Sequence, residues 1–238
     1  MHMMRSEFKK LTTTRTFYLL LIGVGVIAAV TVLDPTMNAK SFQREFYEYP
    51  FVLFTSLLSR LLILVLGIRI ITDEFRHGTQ VPTFLVSPRR GRVLVAKAVT
   101  AAVAGLVMAA LAAGVMTLAA SFVASSEGAT LNMDGAWSTF VGMLSAGALW
   151  GVLGVGLGAL VKSQIAATVG GIVWLMMLED VVGSTLGKLG NYMPGEVGLG
   201  LAIGPNGRAL VIGAAILASY AFVVMLGGAF AVNRRDIT

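Results

Sequence analysis

The chain has 238 residues, of which 56% are hydrophobic and 13% are charged, and its formal net charge is +6. A soluble domain usually carries about 25% charged residues, so this composition excludes an ordinary water-soluble protein and indicates a polytopic membrane protein. The chain contains no cysteine, which excludes disulfides and thiolate metal sites. Its basic residues lie at the ends of apolar runs, so membrane topology explains the positive charge better than nucleic-acid binding does.

The N-terminal region is a basic stretch, "MMRSEFKKLTTTRT", at residues 3–16. Phe8 and Leu11 stand among its basic residues, which predicts an amphipathic helix on the inner membrane surface over residues 1–16. A disordered basic tail is the alternative. A basic stretch before an apolar run also describes a cleaved signal peptide, but no clear small-x-small site follows Leu33.

Six apolar runs follow, and each reaches or comes close to the roughly 20 residues that a bilayer-spanning helix needs. They are predicted at about residues 17–33, 51–71, 93–124, 139–161, 165–181 and 209–232. The third run is longer than a bilayer requires, so we expect it to tilt or to extend beyond the lipid. The predicted fold class is therefore an all-α polytopic membrane protein, with six transmembrane helices in a single domain over residues 1–238.

The distribution of Lys and Arg predicts how these spans are oriented. With the N-terminus inside, 13 of the 18 basic residues lie on the inner side and four on the outer side, and Arg60 lies within the second run. This bias predicts that both termini are cytoplasmic, which requires an even number of spans. We expect a multi-pass protein of the inner (plasma) membrane.

The fourth run contains glycines four residues apart, Gly147 with Gly151 and Gly154 with Gly158. Small residues at this spacing let helix backbones approach closely in lipid, where little hydrophobic force drives helices together. Packing within the subunit is one interpretation of the pattern, and a seam between two subunits is the other.

Motifs of catalysis and cofactor binding are missing from the sequence. The nearest match to a phosphate-binding loop is "GSTLGKL" at residues 183–189, which has three residues between its glycines instead of four and a leucine where Ser or Thr is required. His2 and His77 have no metal-ligand spacing, and no serine stands in a G-x-S-x-G context. We therefore predict no catalytic, cofactor or metal site in this chain, so an ion gradient or another chain must supply energy for any active transport.

The densest charged stretch, "ITDEFRHGTQVPTFLVSPRRGRVLVAK" at residues 71–97, lies between the second and third runs. Positive-inside topology explains its arginines but not the order of residues 74–79. Its mixture of apolar and polar residues, with breaks at Gly78 and Pro88, predicts a short cytoplasmic helix with a turn over residues 72–92.

Within this stretch, "DEFRHGT" followed by "FLVSPRRGRVLVAK" resembles the segment after the second span in permease subunits of the type-2 ABC transporter family. The shared pattern is an acidic residue, an aromatic residue, Arg, a small or polar residue, Gly and Thr, followed by Ser-Pro and a basic stretch that ends in Lys. The matching residues are Glu74, Phe75, Arg76, His77, Gly78, Thr79, Ser87, Pro88 and Lys97. The six-span layout and the basic start extend the resemblance over nearly the whole chain.

This resemblance implies an exporter whose segment 72–92 is a coupling helix that docks on a separate ATP-binding subunit. The implied partner-coupling residues are Glu74, Phe75, Arg76, Gly78 and Thr79. Two copies of the partner would bind ATP and Mg²⁺, a second permease chain, identical or homologous, would complete the pathway, and residues 182–208 would form an outer re-entrant segment. A gradient-driven secondary transporter of a small hydrophobic or cationic solute is the alternative.

Arg60 is the one basic residue well inside an apolar run, about nine residues or ~13 Å from the outer end. A charge at that depth costs ~2.5–3.5 kcal/mol on insertion scales, so it needs a partner or water. Glu179 and Asp180 lie at a similar depth in the fifth run. We expect Arg60 to pair with one of them, within one subunit or across a dimer, and the alternative is that it snorkels or bonds a backbone carbonyl.

Overall fold

The computed structural model describes residues 2–33, 49–76, 90–203 and 207–233, and the chain in these ranges is helical, with short connections and no strand. Five of its helices are long and apolar enough to cross a membrane. The prediction of an all-α, polytopic membrane protein is confirmed at this level. A sixth span depends on whether the first two helices count as one broken element.

Those first two helices are α1 (His2–Thr13) and α2 (Arg15–Val30). Their axes differ by 67° at Thr14, which has an extended backbone conformation. The basic N-terminal stretch is thus a helix, set apart in direction from the apolar helix that follows it. The bend separates a polar element from an apolar one, and the placement of α1 on the inner membrane surface stays a prediction.

The remaining elements follow the predicted apolar runs closely. They are α3 (Pro50–Arg76), α4 (Arg90–Ser126), α5 (Ala136–Val161), α6 (Gln164–Val173), a π-helical segment (Trp174–Leu178), α7 (Glu179–Leu186), a 3-10 helix (Gly187–Tyr192), α8 (Pro194–Ile203) and α9 (Gly207–Asn233). At 37 residues, α4 is about 55 Å long, well beyond the ~30 Å hydrocarbon core. The expectation of an overlong third run is confirmed.

Helix α5 lies at the centre of the bundle and packs against α3, α4, α8 and α9. Its glycines are the contact points: a Cβ on Gly151 would lie 2.4 Å from the carbonyl oxygen of Ala101, and one on Gly154 would lie 2.4 Å from that of Leu64. Gly147 and Gly158 likewise face α4 and α3. These contacts fall within one chain, as the intrasubunit interpretation predicts.

Between α7 and α8 the chain reverses through the 3-10 helix. Gly187 has a φ of +58°, a conformation that favours glycine, and Gly190 packs so closely on Gly183 that a Cβ would lie 2.5 Å from the Gly183 carbonyl oxygen. The reversal brings the first turn of α8 back beside the start of α7. Helix α8 then packs against α3, α5 and α9, with Gly142 of α5 against the backbone of Leu201.

The segment predicted to couple to a partner is described only at its flanks. Glu74, Phe75 and Arg76 form the last turn of α3, whereas Gly78 and Thr79 lie outside the described residues. The segment therefore connects the end of α3 to the start of α4. Both helices pack closely against α5.

Candidate functional site

Lys97, in the second turn of α4, is only 1% exposed although it carries a charge. Its Nζ lies 2.8 Å from Oε2 of Glu7 and 2.9 Å from Oε1 of Glu74, and it donates to the carbonyl oxygen of Ile70 at 3.1 Å. An ammonium group has three donors, so these three oxygens match its capacity. A buried charge is tolerated only when it is paired and hydrogen-bonded, and Lys97 meets both conditions.

Lys10 completes this group, which we name the Lys97 cluster (Glu7, Lys10, Glu74 and Lys97). The Nζ of Lys10 lies 2.8 Å from Oε1 of Glu7 and 3.0 Å from Oε1 of Glu74. Two carboxylates thus face two ammonium groups, and the formal charges cancel. The cluster joins α1, the end of α3 and the start of α4, which are far apart in the sequence.

The neighbouring charges set the protonation of the two cluster residues on α1. Burial alone raises the pKa of Glu7, but the attraction of Lys97 and hydrogen bonds from Lys10 and Lys97 outweigh it, so the pKa lies below its ordinary value. Burial alone lowers the pKa of Lys10, but its hydrogen bonds to Glu7 and Glu74 hold the pKa above its ordinary value. Both groups are therefore charged at neutral pH.

The described coupling residues have different surroundings. Glu74 is buried in the Lys97 cluster, and Phe75 packs partly buried against the apolar group around Ile71 and Leu94. Arg76 is exposed. Of these three residues, Arg76 is the one whose side chain is available to a partner, while Glu74 fixes the position of the helix end.

Sequence reasoning missed the roles of Glu7 and Lys10 and attributed Lys97 only to the motif. One signal was present: Glu7 is the single acidic residue of a basic stretch, and Lys10 stands three residues later on the same helical face. Nothing local indicates that Glu7 contacts Lys97, which is 90 residues away.

Arg60, on α3, is 7% exposed and belongs to a second group of buried charged residues in the bundle. Its Nη1 donates to the carbonyl oxygen of Gly195, at the start of α8, and its Cζ lies 5.9 Å from the ring centroid of Trp150 on α5. That distance is within the range of a cation–π interaction. The Nε of Arg60 has no hydrogen-bond partner among the described residues.

Glu179 lies on the other side of the same backbone. It is 3% exposed, and its Oε1 accepts hydrogen bonds from the N–H of Gly195 and, at 3.0 Å, from the N–H of Glu196. A carboxylate here satisfies free N–H groups of the first turn of α8 and opposes the positive end of its dipole. The peptide group between Gly195 and Glu196 is thus held from both sides, by Arg60 at its carbonyl and by Glu179 at its N–H.

This geometry differs from the direct pair that the sequence led us to expect. In the part of the chain that the structure describes, Arg60 forms no ion pair within 4.0 Å with Glu179 or Asp180, and it bonds a backbone carbonyl, which was the alternative. The three residues do lie together, around a cavity of about 240 Å³ that Glu196 also lines. A pair across a dimer stays a prediction.

The π-helical segment Trp174–Leu178 ends immediately before Glu179. A π turn takes in an extra residue and so rotates the residues after it relative to a regular helix; such turns are frequent at functional sites. Here the rotation accompanies a buried Glu179 and an exposed Asp180. We name Arg60, Glu179 and the Gly195–Glu196 peptide group the Arg60 cluster.

The first prediction concerns the strength of the Lys97 cluster. Lys97→Met keeps most of the buried side-chain volume but leaves two buried carboxylates without their main partner, so we expect a loss of roughly 3–5 kcal/mol in unfolding free energy. The control is Arg69→Ala, which breaks the partly exposed Arg69–Asp73 pair at 3.7 Å and should cost less than about 1 kcal/mol. Unfolding in mild detergent measures both, and equal losses would contradict the role assigned to Lys97.

The second prediction concerns pH. A pKa of Glu7 held below its ordinary 4.5 contributes stability that is present above pH 4.5 and lost as the pH falls through the lowered pKa. A pKa of Lys10 held above its ordinary 10.5 contributes stability that is present below pH 10.5 and lost as the pH rises further. We therefore expect α1 to stay docked at neutral pH and to detach in acid.

A spin label on Thr12→Cys tests this, because the chain has no other cysteine and Thr12 is exposed. Its mobility should rise in acid, and Glu7→Gln should raise it already at neutral pH. A label on Ser219→Cys, exposed on α9, is the control and should not respond. A Thr12 label with the same mobility at every pH and in Glu7→Gln would show that the cluster does not hold α1.

The third prediction compares two glycines of α8. A Cβ on Gly195 would lie 2.5 Å from Oε2 of Glu179, whereas one on Gly200 would meet no heavy atom within 4 Å. Gly195→Ala should therefore destabilise the protein by about 1–3 kcal/mol, as overpacking does, while Gly200→Ala should be neutral or stabilising by up to about 1 kcal/mol. Thermal unfolding in detergent measures the stability of both variants. A Gly195→Ala variant as stable as the wild type would argue against the tight Arg60 cluster.

Comparisons with known proteins assign the chain to no family. No protein-family model matches it, and no curated protein matches it.

Proposed function

We propose that the chain is the transmembrane subunit of an ATP-driven exporter of the type-2 ABC transporter kind, with ATP bound and hydrolysed on a separate subunit. The observation that carries the proposal is the Lys97 cluster, which fixes both flanks of the charged segment at residues 77–89. Glu74 precedes the segment and Lys97 follows it, and their charged atoms lie 2.9 Å apart.

A simple connecting loop between two spans needs only polar residues, and the helix ends that it joins can be exposed. Buried charges at its flanks carry a desolvation cost, which the cluster offsets by pairing every charge. The cluster thus ties the end of α3, before the segment, to the start of α4, after it, and through Glu7 and Lys10 to α1. Such an attachment suits a segment that receives a force from a partner and transmits it to membrane helices.

The assembly we propose contains two permease chains, identical or homologous, and two ATP-binding subunits that hold ATP and Mg²⁺. Arg76, Gly78 and Thr79 contact the partner, and Glu74 and Phe75 position the segment. The segment and both termini face the cytoplasm, so the complex lies in the inner (plasma) membrane and takes energy from cytoplasmic ATP.

Two further features complete the proposed topology. Helix α2, with 16 residues, is roughly 24 Å long and serves as the first of six spans, while α1 lies at the inner surface. In this proposal, the outer re-entrant segment predicted over residues 182–208 contains the 3-10 helix and α8. Non-helical backbone is tolerated at membrane depth where it is buried in protein, and α8 packs against α3, α5 and α9.

A gradient-driven carrier is the second candidate, and the Arg60 cluster is the observation that favours it. Arg60 and Glu179 are buried charges beside a cavity of about 240 Å³, and ionisable groups within spans are typical of ion and proton pathways. The two candidates differ in their energy source. Uptake into proteoliposomes driven by an ion gradient, without ATP or a second protein, would favour the carrier.

The fourth prediction tests the exporter. The chain should copurify with a phosphate-loop ATPase encoded beside it, in a complex whose mass fits two membrane chains and two ATPases. Arg76→Ala should weaken this binding and the stimulated ATPase activity without lowering membrane levels, because Arg76 is exposed. Gly78→Val should do the same, since a bulky β-branched residue strains any left-handed turn there.

The matched control is Arg208→Ala, which removes an equally exposed arginine at the start of α9, on the side predicted to be outer. It should leave ATPase binding unchanged. Wild-type binding in both Arg76→Ala and Gly78→Val would refute the docking assignment, and a mass with one membrane chain per complex would refute the assembly.

A further inference from the structure

A groove of about 600 Å³ runs along one side of the bundle between α6 and α9. Both helices pack against α5, but α6 does not pack closely against α9, so a gap remains between them. The floor of the groove is α5, from Trp150 to Val161. Ala166 and Gly170 of α6 form part of one wall, and Tyr220 of α9 forms part of the other.

The wall on α6 is built from small residues, which leaves space in the groove. A Cβ on Gly170 would meet no heavy atom within 4 Å. Among the described residues that line the groove, none is charged, and the polar atoms of the lining side chains belong to two tryptophans and one tyrosine. The groove therefore suits an uncharged, apolar occupant, in contrast to the cavity of the Arg60 cluster.

The groove lies between α9 and the helical stretch Gln164–Tyr192, which begins with α6; these are the two least buried of the five stretches long and apolar enough to cross a membrane. Exposed apolar side chains flank it, including Val169 and Val173 on α6 and Val223 on α9. Helices with such surfaces face lipid in a membrane protein. Lipid hydrocarbon is thus the medium that suits the mouth of the groove.

The length of the groove agrees with this surrounding. From Trp150 to Val161, α5 rises about 16 Å at 1.5 Å per residue. One leaflet contributes roughly half of a ~30 Å hydrocarbon core, or about 15 Å. The groove is therefore about as long as one leaflet is deep.

We propose that this groove binds one acyl chain of a bilayer lipid, inserted between α6 and α9 and running along the face of α5 that carries Trp150. The site is separate from both charge clusters and does not depend on how the protein is energised. Binding removes apolar surface of α5 and α6 from contact with mobile lipid and fills a gap that the helices themselves leave open. The chain would hold α6 and α9 at a fixed separation.

Tryptophan fluorescence tests the proposal, because Trp150 is only 1% exposed. The chain has three tryptophans, so Trp137→Phe combined with Trp174→Phe leaves Trp150 as the sole reporter. The double variant, with Trp150 as its only tryptophan, is reconstituted in vesicles of phosphatidylcholine whose acyl chains are either dibrominated or ordinary. A chain in the groove brings bromine to Trp150, so we expect loss of much of its fluorescence in the brominated vesicles.

The filling variant is Gly170→Phe, whose side chain occupies the groove, and it should remove most of the quenching. The matched control is Gly114→Phe, at an exposed glycine on α4 where a Cβ also meets nothing within 4 Å, and it should leave the quenching intact. A reporter that keeps only Trp137, which is 79% exposed, should be quenched equally in both variants if they fold and insert.

Two results would overturn the proposal. Trp150 fluorescence that is the same in brominated and ordinary vesicles would show that no acyl chain reaches it. Quenching that is identical in Gly170→Phe and Gly114→Phe would show that bromine acts from outside the groove. If Gly170→Phe instead converts a dimer to a monomer and Trp150 is not quenched, the occupant is a second copy of the chain.

Discussion

Direct backbone contact along α5 is the constraint on which the rest of the structure depends. Within a membrane, helices gain little from burying apolar surface against each other, so close packing must supply the attraction. The glycines of α5 allow it, because their neighbours on α3, α4 and α8 sit where a Cβ would otherwise stand, as at Gly142, Gly151 and Gly154. A centre of this kind has few alternative arrangements, since every contact needs a particular helix register.

The buried charges are possible because this centre fixes the helices that present them. Gly67 of α3 packs against Gly154 of α5, which sets the rotation and height of α3. Arg60 then reaches the first turn of α8 on one side, and Glu74 reaches Lys97 at the helix end. An unpaired charge in either place would cost several kcal/mol, so the partners must be in position when the helices assemble.

The sequence was sufficient for features that depend on local pattern. Apolar runs predicted the positions of five spanning helices, with most of their ends within a few residues, and glycine spacing predicted the packing face of α5, because hydropathy and helical period are read along one segment. The Lys97 cluster joins residues up to 90 positions apart, and a lysine at the end of a span looks the same whether it faces water or a carboxylate. The burial of Glu179 beside the first turn of α8 likewise depends on the tight reversal at Gly187–Gly190 and follows a π-helical segment, neither of which has a distinctive sequence.

Helix α3 is the only helix of the described chain that contributes to both charge clusters. Glu74 and Arg60 are 14 residues apart on it, about 21 Å along a continuous helix. The two clusters differ in how completely they are bonded: Lys97 has three oxygen partners, whereas Nε of Arg60 and Oε2 of Glu179 have none among the described residues. The Lys97 cluster is therefore the more completely bonded end of α3, and the Arg60 cluster keeps unused hydrogen-bonding capacity beside its cavity.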